Sequence, residues 1–466
     1  MSEEKKYKSV LEVDDELLED LSELIKNKSD AALKNILADL YDFDIAVIID
    51  NLEEDDSLYL FSLLNDETAA EVLLEINEDK KEYITEKLSG EKITDIVSEM
   101  YSDDATDFVG ELDKERKDEI LENLDKLDKE DYHEVKELLS YDENTAGGIM
   151  AKEFISVYED MSIAEAIREI QEQADRVDQL YNVWVVNLEN KLTGIISLKR
   201  IIIALKNPEE LIKNIMNPDV ISVDVGTDQE EVAKIFQSYD LVSVPVVDFE
   251  NRVIGKISID DVVDVIEEEY SENVARMTGT DAEELEKKSP FEIAKLRLPW
   301  LLITLLIELM AVFVVKFYDD TIGKILLLAA FMPIISAISG NTGLQSAAIV
   351  VRGIDTGNVN LNKWWEPLLR QFKTNLLIGT AIALVIGFIG FMISDVNRFL
   401  FGLSVGLSMF ISINIAGIIG TISPMISKKL GFDPALTSGP FETAFQDVIG
   451  ITIFMTVATF LLTHTS

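Results

Sequence analysis

The chain of 466 residues contains no cysteine, which excludes disulfides, thiolate catalysis and any metal site built on cysteine. Its two histidines, His133 and His464, are too few and too far apart in sequence to suggest a transition-metal centre. No H-E-x-x-H occurs, so the zinc site of an intramembrane protease is excluded as well. Proline is missing from residues 10–140, where glycine is also sparse. Basic residues are scarce at the front. The whole chain has 41 Lys+Arg against 86 Asp+Glu, and from Phe291 onward the counts are 11 and 10, which leaves 30 basic against 76 acidic residues before it. Such a front repels phosphate and argues against a nucleic-acid partner. It suits a cation. Unpaired carboxylates about 4 Å apart repel by about 1 kcal/mol in water and by about 4 kcal/mol at an effective dielectric near 20, so a packed group of them needs a counter-ion, and divalent cations serve best. The opening residues, MSEEKKYKSV, have no apolar run after their charges and do not read as a secretory signal, so the front is expected to stay in the cytoplasm.

Long apolar runs are confined to the second part. Five follow Phe291, at about Leu298–Val315, Ile325–Val351, Leu376–Ile393, Phe399–Ile426 and Ala435–Leu462. Each is long enough for a helix to cross a bilayer, which takes about 20 residues. Lys295, Arg297, Arg352, Lys363, Arg370, Lys373, Lys428 and Lys429 fall on one side of these spans, and Lys316, Lys324 and Arg398 on the other. The richer side is the one joined to the front, so the positive-inside rule agrees with a cytoplasmic N-terminal part.

Two spans carry polar groups at membrane depth. In ISGNTGLQSAAIVVRG, Gly340 and Gly343 allow close backbone approach, and the amides of Asn341 and Gln345 each need a partner or water. In FDPALTSGPFETAFQDVIGITIF, Gly439, Thr443 and Asp447 recur every four residues on one helix face, with Pro440 freeing a carbonyl near its start. A carboxylate inside a span is costly and is a functional candidate by default; Asp447 leads. Glu442 lies at the pore, at its vestibule or in packing, and Glu308 reads as a satisfied interhelical partner. A membrane part that served only as an anchor would need no buried acid.

Residues 10–140 repeat Leu, Ile, Glu, Asp and Lys at helical spacing, with weak internal echoes at Asp44, Glu67, Lys92 and Asp104. They read as ordinary amphipathic helices or as short helices stacked into a superhelical array. After Ala151 the pattern changes to two β-α-β-β-α units in tandem.

The tandem units resemble a pair of cystathionine-β-synthase (CBS) domains, through the M-x-P step Met216–Pro218, the strand V-P-V-V-D at Val244–Asp248 and the G-x-I-S turns at Gly194 and Gly255. Across nearly the whole chain the sequence resembles the MgtE family of magnesium channels. The marks are D-E-N-T-A-G-G-I-M at Asp142–Met150, R-L-P-W at Arg297–Trp300, G-N-T-G-L-Q at Gly340–Gln345, and D-P-A-L through Q-D-V-I-G between Asp433 and Gly450. The resemblance implies a multidomain fold: an all-α acidic superhelix domain acting as the Mg²⁺ sensor (1–145), α/β tandem CBS domains (146–259), the CBS-terminal and connecting plug helix (260–296) and an α-helical transmembrane domain with five spans (297–466). It implies a homodimer in the cell membrane, not an enzyme, that takes up Mg²⁺ through one pore lined by the second and fifth spans and is shut by intracellular Mg²⁺. Asp447 of both subunits would hold the hydrated ion, with Thr443, Gly439, Asn341, Gln345 and Gly340 lining the path. Hydrated Mg²⁺ gives up water reluctantly, so two carboxylates can select it through its water shell. Gly439 departs from the amide common in the family, which leaves passage of Co²⁺ or Ni²⁺ as an alternative, beside an exchanger coupled to Na⁺ or H⁺. The sensor ligands implied are Asp103, Asp104, Asp107, Asp261, Asp264, Glu267, Glu268 and Glu269, with Asp433 at the start of the fifth span meeting the plug. CBS pairs often take adenosine nucleotides, with an acid after the G-x-I-S turn on the ribose. Asp261 fits that role for ATP, whereas Arg200 stands at the equivalent place after Gly194.

Overall fold

The computed structural model describes residues 15–463, apart from 178–179, 281–288, 396 and 436–437. The first residues, His464 and part of the expected plug segment lie outside the described residues. Two compact units result, residues 1–267 and 268–466.

The first unit opens with ten short helices, from α1 (Asp15–Lys26) to α10 (Lys129–Leu138). Those starting at Asp42, Asp66, Gly90 and Lys114 alternate with those starting at Asp30, Glu54, Glu78 and Ser102, so a helix pair recurs every 24 residues. This is a stacked array in which each repeat buries its apolar face against its neighbours. The period is set at the helix starts. Asn65, Ser89 and Asp113, themselves 24 residues apart, accept hydrogen bonds from the N–H groups of Thr68 (2.8 Å), Lys92 (3.2 Å) and Arg116 (3.1 Å), which satisfies amides that a helix start leaves unpaired. Between these caps Ile45, Ile49, Leu73, Ile84, Ile96 and Val109 fill one continuous core.

Two three-stranded sheets follow. In the first, β1 (Ser156–Tyr158) runs parallel to β2 (Asn182–Val186), which pairs antiparallel with β3 (Leu192–Ser197). The second repeats this with β4 (Val223–Asp224), β5 (Ser243–Val247) and β6 (Val253–Ser258), down to the same register shift before the last valine of the central strand. Helices α11 (Ile163–Gln173), α12 (Leu198–Ala204), α13 (Ile212–Ile215) and α14 (Gln229–Tyr239) intervene, and α15 (Ile259–Thr278) leaves β6 directly. The G-x-I-S glycines have a packing cause: a Cβ on Gly194 would lie 2.5 Å from the sulfur of Met216, and one on Gly255 would lie 2.7 Å from that of Met150. The quoted motifs are therefore contacts between the two repeats of one pattern.

The second unit holds α16 (Pro290–Phe317), the short α17 (Asp319–Lys324), α18 (Leu327–Asp355), α19 (Trp365–Ile393), α20 (Arg398–Lys429) and α21 (Pro440–Thr463). Five of these are long and apolar enough to cross a membrane, and they overlap the five expected runs. Their ends differ from the apolar runs for local reasons. The first span begins at Pro290 because Ser289 and Glu292 form a reciprocal cap, with Glu292 Oε2 accepting from the Ser289 N–H (2.9 Å) and Oγ–H (2.6 Å). The last starts at Pro440 rather than Ala435, since proline suits a first helical position. The carbonyl that Pro440 leaves without an amide is that of Leu436, outside the described residues. α20 is the buried centre of the unit, whereas α16 and α19 expose apolar side chains such as Phe313, Leu306, Leu377 and Leu384, a surface suited to lipid.

Candidate cation pathway and acidic face

In the second unit, α18 and α21 meet through glycine. A Cβ on Gly340 would lie 3.2 Å from both Asp447 Oδ1 and Thr443 Cγ2, and one on Gly343 would lie 3.0 Å from Glu442 Oε1. The two motifs read from sequence are thus one contact, and small residues permit it. Asp447 Oδ1 is buried with no hydrogen-bond partner among the described residues, an arrangement that is costly unless an ion or water completes it. Thr443 sits one turn below, its hydroxyl directed at the Gly439 carbonyl at 3.4 Å. Glu442 and Gln446 lie beside Gly343, are fully buried, and bond each other at 3.0 Å. Asn341 and Gln345 share a face of α18, one turn apart, that is exposed among the described residues.

Two further acids find partners within the chain. Glu308, expected as an interhelical partner, brings its carboxyl group from α16 beside that of Asp447 on α21 in hydrogen-bonding reach; an acid in an apolar run marks it in the sequence, but not the residue that it meets. Asp433, expected to meet the plug and to stand among the metal ligands, meets the end of α15. Oδ2 accepts from Arg276 Nη1 at 2.6 Å and Oδ1 from the Ala435 N–H at 2.7 Å. Arg276 belongs to the end of α15, whose Met277 carbonyl fills the space above Gly439: a Cβ there would lie 2.5 Å from that oxygen. The end of α15 is therefore seated on the first residue of the Gly439–Thr443–Asp447 face.

In the first unit, α8 (Ser102–Glu111) carries Asp103, Asp104 and Asp107. Its start is held by Glu153, which accepts from the Ser102 N–H (3.0 Å) and Oγ–H (2.9 Å). Asp261 faces this group from the first turn of α15, with Oδ2 accepting from the Ser258 N–H at 2.8 Å. Burial is the main cause of the perturbed titrations here. It drives Asp103 well above the carboxylate range, aided by Asp261, Asp104 and Glu153. Asp104 is raised to about 7 by burial, then by Asp261, Asp107, Glu71 and Asp260. Asp261 is raised to about 6 by burial, against the lowering effect of the Ser258 hydrogen bond. Asp264 is raised by burial and then by Glu267 and Asp260, and Glu75 by burial and then by Asp264. Glu268 and Glu269 follow on α15.

Glu71, Glu75 and Asp260 were missed in the sequence. Glu71 and Glu75 stand four apart in the ETAAEVLLEI echo, a signal that was available once the 24-residue period was known. Among the described residues, no three His, Asp or Glu side chains converge closely enough to chelate an ion directly. A cavity of about 480 Å³ opens beside these acids, lined by Tyr181, Trp184, Lys256, Asp104, Asp260 and Asp261.

Five spans, an acid at membrane depth and an acidic soluble unit define a multi-pass membrane protein that handles cations, its N-terminal domains cytoplasmic. Residues 332–457 match the family described as MgtE, divalent cation transporter. Residues 40–144 match the MgtE intracellular N domain, and 146–207 and 212–268 match CBS domains. The magnesium transporter MgtE of Enterococcus faecalis is 34% identical over 335 residues, 72% of this chain and 73% of that protein. That of Thermus thermophilus is 32% identical over 71% and 72%. A crystal structure of the cytosolic domain of the Mg²⁺ channel MgtE in complex with ATP superposes with a TM-score of 0.50 at 31% identity, over 53% of this chain and all of that one. The chain belongs to the MgtE family.

Proposed function

We propose that two copies of the chain form a Mg²⁺ channel for magnesium uptake across the cell membrane, closed from inside by Mg²⁺. The observation that carries this reading is Asp447 with its buried, unpartnered Oδ1, set against Gly340 on a face that continues through Thr443 to Gly439. Pairing two such faces across a two-fold axis would place two carboxylates around one hydrated ion, with Asn341 and Gln345 on the exposed stripe of α18 contributing amides. Mg²⁺ holds its first-shell water tightly, so selection works on the hydrated ion.

Closure uses α15. Its first turns carry Asp260, Asp261 and Asp264, and its end carries Arg276 and Met277 against Asp433 and Gly439. Without a divalent ion the acids repel each other. With one they are drawn together, and a continuous helix passes the displacement to the pore mouth. ATP belongs to this reading through the cavity beside Trp184 and Asp261. Because carboxylates outnumber Lys256 on its walls, a triphosphate enters as its Mg²⁺ complex. A proton-coupled exchanger is the second reading, favoured by Glu308 beside Asp447, since neighbouring carboxyl groups can take up a proton as a divalent ion leaves.

Patch recording with internal Mg²⁺ varied separates the two. A channel gives voltage-dependent unitary currents that vanish as internal Mg²⁺ rises to millimolar levels. Asp447→Ala is expected to reduce them to the background of protein-free membrane while the chain stays folded. Normal Mg²⁺ flux in that variant would remove Asp447 from the pathway.

A further inference from the structure

The cytoplasmic end of the membrane unit carries a cavity that the ion pathway does not use. Its volume is about 620 Å³, between the end of α18, the 356–364 connection and the start of α19. Its walls divide by chemistry. Ile349, Val350 and Pro367 make an apolar side, and Arg370, Lys363 and Asn360 a polar one. Lys363 is paired with Glu366 at 3.6 Å, which neutralises the one carboxylate on the rim. Arg370 forms no ion pair among the described residues, so the cavity keeps a net positive charge.

The connection is built rather than loose. The Val359 N–H donates to the Gly353 carbonyl at 2.7 Å, Asn358 Nδ2 to Thr356 Oγ1 at 2.8 Å, and the Asn362 N–H to Asn360 Oδ1 at 2.9 Å. Trp364 and Trp365 follow, stacked edge to face at 6.3 Å and each about half exposed. Paired tryptophans at the end of a span mark the level of the headgroups. From there α19 exposes Leu369, Phe372, Leu376 and Leu377.

We propose that this cavity binds the headgroup phosphate of an anionic phospholipid of the cytoplasmic leaflet, with Arg370 as the anchor and the acyl chains on the exposed side of α19. A soluble phosphate would use only the polar wall. A phospholipid uses the polar wall, the apolar wall and the apolar helix face that continues from it. Guanidinium suits phosphate because it can donate two parallel hydrogen bonds.

The test is native mass spectrometry of the full-length protein, equilibrated with equal amounts of phosphatidylglycerol and phosphatidylcholine. Wild type is expected to retain phosphatidylglycerol in preference. Arg370→Ala should cut that retention about fivefold, the value of one basic side chain near a membrane surface. Arg370→Lys should lie between. Lys373→Ala, on the same helix but outside the cavity, should match wild type. Equal losses in Arg370→Ala and Lys373→Ala would reduce the effect to diffuse attraction and overturn the site. Release of the bound lipid by glycerol phosphate at comparable concentration would show a site for free phosphate instead. Should Arg370→Ala not fold, Arg370→Gln, which keeps the length and polarity but not the charge, carries the same comparison.

Discussion

Gly439 is where the end of α15 meets the fifth span, because only a hydrogen leaves room for the Met277 carbonyl. In the proposed gate, Gly439→Asn adds a side chain that forces that carbonyl, and the helix end behind it, away from the pore mouth. Currents at millimolar internal Mg²⁺ should rise several-fold in inside-out patches, with the conducting ion unchanged. Closure as complete as in wild type would show that this contact is not part of the gate. Asp447 and Glu308 make a related point. Asp447 announces itself by its Gly/Thr face, whereas Glu308 is surrounded in sequence by Ile, Leu and Met, and only the crossing of α16 over α21 brings it to Asp447.

Among the elements, α8 and the start of α15 hold the acids whose titration is most displaced. Asp104 is raised to about 7 from an ordinary value near 4. A raised carboxylate stabilises the folded face below about pH 4 and loses that contribution as pH climbs through about 7, by roughly 2 to 4 kcal/mol for a shift of this size. Amides of α8 in the full-length protein, freed of divalent ions, should therefore exchange hydrogen faster at pH 8 than at pH 5 after correction for intrinsic rates. Millimolar Mg²⁺ should restore protection at pH 8 and change little at pH 5, because protonated acids neither repel nor bind. Protection independent of both pH and Mg²⁺ would detach this face from cation sensing. Asp131 and Glu134 on α10 are also raised, to about 6 and about 7, chiefly by burial and then by neighbouring acids. Arg176 already stands among them, 3.0 Å from Glu130 and 3.5 Å from Glu134. That group is a built ion-pair network.

For the molecule as a whole, the proposal joins a sensor in one unit to a pathway in the other through a single helix. Replacing Asp104, Asp261 and Asp264 together by asparagine removes the repulsion and the ion affinity at once. The pore should then stay open at millimolar internal Mg²⁺, with the half-inhibiting concentration raised at least tenfold. Inhibition at the wild-type concentration would place the sensor elsewhere.

Much of this organisation was legible in the residues alone, and the reason is local. Apolar length determines which segments can span a bilayer, period-2 and period-3.6 patterns separate the CBS pair from the helices, and a charge difference between the two parts follows from composition. The repeat of the first helices was only half visible. Its echoes in apolar residues are weak, while the caps at Asn65, Ser89 and Asp113 that set its length are chemically different residues serving one role. Other features required the chain to be folded. Glu71 joins Asp104, and Glu308 joins Asp447, across separations in sequence that no spacing rule spans. Asp433 meets Arg276 at the end of α15, a pairing between distant parts of the chain. The sequence by itself determined the elements, their order and the acids on offer. The tertiary structure decided which acids face one another, because burial and mutual repulsion belong to side chains that meet only when the helices pack.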